Sequence, residues 1–136
     1  MRRLAATACL SLLLIGCGSH GFRGEATWEG HSTSDWVRLA KDDDVEARRK
    51  AVTALGELGL SEAGESVPAL TDAVADPDPL VRLLALQSLE KLAPRASKAE
   101  AAVGRAINDK HKAIARQAMT TLKAIELARP SPLNGS

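Results

Sequence analysis

Three stretches of this chain are copies of one another: Arg48–Leu55, Arg82–Leu89 and Ala115–Leu122 follow at offsets of 34 and then 33 residues. A period of that length marks units that cannot bury their apolar surface singly and must stack into a continuous core. Three columns stay small or apolar in every copy: Ala51/Ala85/Ala118, Leu55/Leu89/Leu122 and Leu58/Leu92/Ile125. Their spacing of four and then three residues is one stripe of an α-helix. Alanine within the stripe lets a neighbouring helix come close. Upstream, Trp36/Leu70/Val103 and Ala40/Val74/Ile107 form a second, shorter stripe at the same offsets. Each unit is therefore expected to be a pair of helices.

The residues between the stripes agree. Asp42-Asp43-Asp44, Asp76-Pro77-Asp78-Pro79 and Asn108-Asp109 fall inside the units, where Asp caps a following helix and Pro suits its first turn. Gly59–Ser66 and Ala93–Ser97 carry the breakers between units, and Pro130 and Pro132 close the last helix. Phe22, Trp28 and Trp36 are the whole aromatic supply, and the apolar share is mostly Ala and Leu. That composition suits helices and starves a β-sandwich or barrel. The expectation is an all-α domain over residues 34–128, with 129–136 a disordered tail.

The segments Ala51-Val52-Thr53-Ala54-Leu55-Gly56-Glu57-Leu58-Gly59 and Val67-Pro68-Ala69-Leu70 resemble HEAT repeats, most closely those of phycobilisome lyases. The resemblance implies a short right-handed α-solenoid of about three HEAT-like helix pairs that acts as a protein-binding scaffold. It also implies a ladder between units, made by an Asp in each intra-unit turn and an Arg six residues on. Asp42 with Arg48 and Asp76 with Arg82 match that spacing, whereas Asp109 is followed by Ala115, so the third unit is expected to drop out of the ladder.

Arg2 and Arg3 precede an apolar run, Leu4–Ile15, that is too short to cross a bilayer but suits the core of an export signal. It ends in Leu14-Ile15-Gly16-Cys17, which resembles the lipobox of bacterial lipoproteins. The resemblance implies cleavage after residue 16 and acylation of Cys17, a stable anchor because more than one chain is attached. It places the protein in the bacterial cell envelope, on the periplasmic face of the outer membrane in a diderm cell, since Gly18 is not Asp. Residues 17–33 are then the lipidated Cys and a Gly- and Ser-rich flexible tether, whose end Trp28 could tack onto the domain. His20 and His31 in it read as solvated side chains, and Cys9 leaves with the signal.

No nucleophile motif, glycine-rich phosphate loop or metal-ligand spacing stands out, so neither an enzyme nor a cofactor is expected. The Asp42–Asp44 run and His111 sit where helix caps belong. Charge is uneven: residues 35–91 carry a net −5 and residues 92–129 a net +5. The uneven charge leaves open solvated faces, self-association, or an anionic partner such as lipid headgroups or envelope polymer; export argues against nucleic acid. In the second helix of the first unit Glu46, Arg49, Lys50 and Thr53 share a polar face; the equivalents in the second unit are Leu80, Leu83, Leu84 and Gln87. The three leucines are either enclosed in the stack or an apolar spot rimmed by Arg49, Lys50 and Arg116, the usual anatomy of a partner-binding surface. Three functions follow: a lipid-anchored scaffold for an envelope protein, a bilin-lyase-like chromophore handler, or a structural lipoprotein holding anionic polymer or headgroups through its basic end.

Overall fold

The computed structural model describes residues 26–130. After a two-stranded hairpin, β1 (Thr27–Trp28) and β2 (His31–Ser32), six helices follow: α1 (Thr33–Leu39), α2 (Val45–Leu58), α3 (Ala63–Ala73), α4 (Pro79–Lys91), α5 (Glu100–Ala106) and α6 (Lys112–Leu127). They pair as α1–α2, α3–α4 and α5–α6.

The turn residues start the second helix of each pair. Asp44 accepts from the Glu46 and Ala47 N–H groups at the head of α2. Asp78 accepts from the Val81 N–H at the head of α4, where Pro79 occupies the first turn. His111 holds the same place before α6, and its side chain makes no capping bond. Between units the breaks are narrower than the glycines and proline suggested. Helix α3 begins at Ala63 because Glu62 and Ser66 N–H groups already find the Leu58 and Glu62 carbonyls. Residues 93–99 are mostly two 3₁₀ turns, Ala93–Arg95 and Ser97–Ala99.

The repeating columns form the core. Ala51, Ala85 and Ala118 are fully buried, as are Leu55, Leu89, Leu92, Ile125, Leu70 and Val103. Only in the last unit do two columns loosen, at Leu122 and Ile107, because no further helix among the described residues stacks on them. Along the row α2, α4, α6 the helices pack extensively, whereas α1, α3 and α5 touch one another lightly. Clefts of about 300 and 430 Å³ open between these first helices, the smaller lined by Lys41, Arg48 and Asp72 and the larger by Asp72, Arg82 and Arg105. Close approach in one row and gaps in the other bend the stack towards the α2–α4–α6 row.

Two devices lock that row. Ser88 Oγ donates to the Val52 carbonyl at 3.0 Å, and Thr121 Oγ1 donates to the Leu86 carbonyl at 3.0 Å, both buried. The donors occupy one column and the acceptors another, so one bridge joins α4 to α2 and its copy joins α6 to α4. Gly56 makes the first of these possible: a Cβ there would stand 2.5 Å from Ser88 Oγ and 2.8 Å from Ser88 Cβ.

The expected tether over residues 17–33 is shortened from its far end. Residues 26–33 are built into the domain, and a small antiparallel hairpin precedes the otherwise helical fold. Glu29 and Gly30 both have positive φ, +49° and +79°, the backbone of a tight two-residue turn that glycine favours. Trp36 Nε1–H donates to the Trp28 carbonyl at 3.1 Å, and the two indoles meet edge to face at 5.6 Å. His31, expected in solvent, packs its ring edgewise on Trp36 at 5.0 Å. Glu62 completes the join, accepting from the Ala26 N–H at 2.9 Å and from the buried Thr33 hydroxyl at 2.5 Å. Those bonds hold its carboxyl below the usual range. The hairpin thus closes the first end of the stack over Trp36. Cys9, Cys17, His20 and the tail from residue 131 lie outside the described residues.

Candidate functional site

The Asp–Arg ladder runs one step further than the spacing implied. Arg48 forks onto Asp76, with Nε at 2.9 Å and Nη2 at 3.2 Å, while its Nη1 donates back to the Asp42 and Asp43 carbonyls. Arg82 repeats this on Asp109, with Nε at 2.8 Å and Nη2 at 3.3 Å, and its Nη1 donates to the Asp76 and Pro77 carbonyls. Each Arg therefore clamps its own turn and pairs with the Asp of the next unit. Asp109 is not lost with Ala115: it is the last acceptor, and the Arg82 fork holds its carboxyl below the usual range. Asp42 is a rung only through its carbonyl: its carboxylate accepts the Asp44 N–H at 2.8 Å, and among the described residues no arginine pairs with it.

Arg49 was expected on the rim of a partner-binding spot. The structure makes it a second, parallel rung: Nε and Nη2 fork onto Asp78 at 3.1 and 2.8 Å, and Nη1 reaches Glu46. That fork brings the Asp78 carboxyl down to about 2. Lys50, another rim residue, pairs with Glu29 of the hairpin at 2.5 Å and lies 5.9 Å from the Trp36 ring centroid. Both residues are already engaged by their own fold, so they frame the spot more than they offer charge to a partner. Arg116 is exposed and has no carboxylate partner among the described residues.

The leucines divide. Leu80, in the first turn of α4, is 41 % exposed, and Gln87 is exposed. Leu83 and Leu84 are half-buried and pack against the core. The middle helix therefore presents a shallow apolar strip, with Leu80 free and the other two partly sunk. Its edges carry Asp78, Glu46 and Arg49 on one side and the Gln117–Glu90 bond, 2.6 Å, on the other. The strip lies on the solvent-facing side of the α2–α4–α6 row.

Missed in the sequence were Asp109, Asp78, Glu62 and the Ser88/Thr121 bridges. The last had a visible signal, a small hydroxyl recurring in an otherwise apolar column. Glu62 had none, because its partners lie 29 and 36 residues earlier in the hairpin and α1.

Among the described residues no group of three His, Cys, Asp or Glu side chains is placed to hold a metal ion, and no helix is long and apolar enough to cross a membrane. Asp44 caps α2 and Asp42 braces the turn before it, which leaves the Asp42–Asp44 run occupied with its own backbone.

A HEAT repeat family model matches residues 67–96, a span that covers most of α3, all of α4 and the first 3₁₀ turn. No curated protein matches the chain. Together with six mutually packed helices, the match makes residues 33–127 a short all-α, HEAT-like solenoid.

Proposed function

We propose that the protein is a non-catalytic scaffold that binds another protein of the bacterial cell envelope and is held there by lipid on Cys17. HEAT repeats suggest a protein-interaction role, and one observation supports siting that role on α4. In the column where α2 carries Glu46, Arg49 and Lys50, α4 carries Leu80, Leu83 and Leu84, with Leu80 in solvent. An exposed leucine beside two half-sunk ones, framed by charges already paired within the fold, gives a partner an apolar anchor and a rigid rim.

Leu80 is the residue to change, because Leu83 and Leu84 also serve the core. Leu80→Asp with Gln87→Glu is expected to abolish crosslinking to the native neighbour in intact envelopes, while thermal unfolding moves by no more than a few degrees. Retained crosslinking with an unchanged fold would remove the α4 strip from the interaction. Anchoring is tested separately: an alkyne fatty acid should label the wild-type chain and not Cys17→Ala, and absence of label from both would end the lipoprotein reading.

A further inference from the structure

We infer that the free end of the stack, the outward stripe of α6, is a docking surface for an anionic phospholipid bilayer. The stripe is Lys112, Arg116, Met119, Lys123 and Leu127, at steps of four, three, four and four residues, which is one helix face. It is also the face that earlier units turn to their successors. In the same columns of α2, Arg49 reaches Asp78 of the next unit, Val52 is fully buried and Gly56 lies against Ser88. In α6 the equivalent of Val52 is Met119, 52 % exposed, and one turn beyond the stripe's last cation Leu127 is 75 % exposed.

The end is not built to receive another helix pair. The outgoing ladder needs an arginine, and α6 has Ala115. That missing arginine and the hairpin closing the first end over Trp36 argue against head-to-tail stacking of copies, and two such basic ends would repel each other tail to tail.

Its cations belong to the last third of the domain, where positive charge is largely unpaired. Every cation from Arg38 to Lys91, seven in all, lies within 4 Å of a carboxylate. Beyond Leu92 only Arg129 does, on Glu100; Arg95, Lys98, Arg105, Lys110, Lys112, Arg116 and Lys123 have no carboxylate partner among the described residues. A capping unit that served only solubility would mix both signs. Unneutralised cations interleaved with two isolated, flexible apolar side chains fit a surface that is flat, anionic and penetrable. Met119 and Leu127 stand about 12 Å apart along the helix. They therefore make two points of insertion rather than the contiguous apolar centre a protein partner fills.

Footprinting of the full chain reads this at the site, whatever the amino-terminal segment does. Peroxide oxidation of Met119 is followed by peptide mass spectrometry in buffer, with phosphatidylcholine vesicles, and with vesicles of three parts phosphatidylcholine to one of phosphatidylglycerol. Oxidation should slow at least about threefold with the anionic vesicles alone, and return to the buffer rate in 1 M salt, where screening falls to about 3 Å. The variant Lys112→Glu/Arg116→Glu/Lys123→Glu, changed only at exposed positions, should lose the protection. Three cations contribute roughly a hundredfold in partition. Trp36, 2 % exposed, serves as the internal fold check and should stay unoxidised throughout. Equal protection by both vesicles, no protection by either, or protection that survives the charge reversal would overturn the proposal. So would protection by soluble polyglutamate in place of vesicles, which would assign the surface to an acidic protein.

Discussion

Gly56→Ala is a substitution that would stabilise an ordinary exposed helix by about 1 kcal/mol, because glycine in a helix interior carries that penalty relative to alanine. Here it should do the opposite. The new Cβ would sit 2.5 Å from Ser88 Oγ, 2.8 Å from Ser88 Cβ and 3.4 Å from Ser88 Cα. The hydroxyl can rotate away, at the loss of its 3.0 Å bond to the Val52 carbonyl. Cβ and Cα cannot move without their helix, so α2 and α4 must part by roughly 0.5–1 Å to restore carbon contacts of 3.5–4.0 Å. Overpacking of this kind costs about 1–3 kcal/mol, and a lost buried hydrogen bond adds about 1. Set against the propensity gain, the net loss is about 1–3 kcal/mol, and each kcal/mol lowers the melting temperature of a domain this size by about 4–8 °C. The assay is a double-mutant cycle by urea denaturation, with Ser88→Gly as the second change. Ser88→Gly alone is destabilising, through its lost bond and its glycine, yet it removes the Cβ that the methyl introduced by Gly56→Ala strikes. The double variant should therefore be more stable than the sum of the singles by at least about 1 kcal/mol, within the range that contacting residues show. A Gly56→Ala protein as stable as wild type, or a cycle that closes additively, would refute the close approach of α2 to α4.

Other expectations rest on the same reasoning. Arg82→Ala should cost clearly more than Lys91→Ala: the Arg82–Asp109 pair is only 11 % and 10 % exposed, while Lys91–Glu57 is 55 % and 43 % exposed. The first loss tends towards the roughly 3–5 kcal/mol of a buried pair and the second stays within about 0–1, as urea midpoints will show. Thr121→Val keeps the shape and deletes the donor to Leu86, so about 1 kcal/mol should go; a neutral result would mean that the bridge contributes nothing. Acid should weaken the fold through four carboxyls whose folded values are depressed: Asp78 by the Arg49 fork, Asp109 by Arg82, Glu62 by the Thr33 hydroxyl and Asp35 by the Ser32 hydroxyl. Their stabilisation is complete above the unfolded values near 4 and fades as pH falls through the folded ones, about 2 for Asp78. Melting temperature should drop over that interval, and less so in Arg49→Gln. Ser66→Ala should raise stability slightly, because the buried Ser66 hydroxyl finds no partner among the described residues; a lower urea midpoint would contradict that.

The repeat period, the two stripes and the capping residues were legible because each is a local or strictly periodic signal. Ala51, Leu55 and Leu58 announce a helix face within eight residues, and their copies at fixed offsets announce that the faces stack. Asp44 and Asp78 announce helix starts for the same reason: a cap is satisfied within three residues. The status of the α4 leucines was not legible, because burial depends on the angle at which α2 and α6 flank α4, and no spacing within α4 records that angle.

Pairings across units were likewise settled in three dimensions. Arg49 and Lys50 read as free surface charge until the stack set Asp78 beside one and the hairpin set Glu29 beside the other. Asp109 read as an orphan because its sequence neighbour is Ala115, whereas its partner, Arg82, comes from the unit before. Residues 26–32 read as tether because glycine and serine show no period, and only contact with Trp36 and Glu62 orders them. What this chain determined by itself is what the backbone periodicity of a helix encodes: how many helices, where they start and which stripe each buries. Which charges are spent inside the fold and which remain for a partner follows from distances between residues far apart in the chain, and only the packed stack sets those.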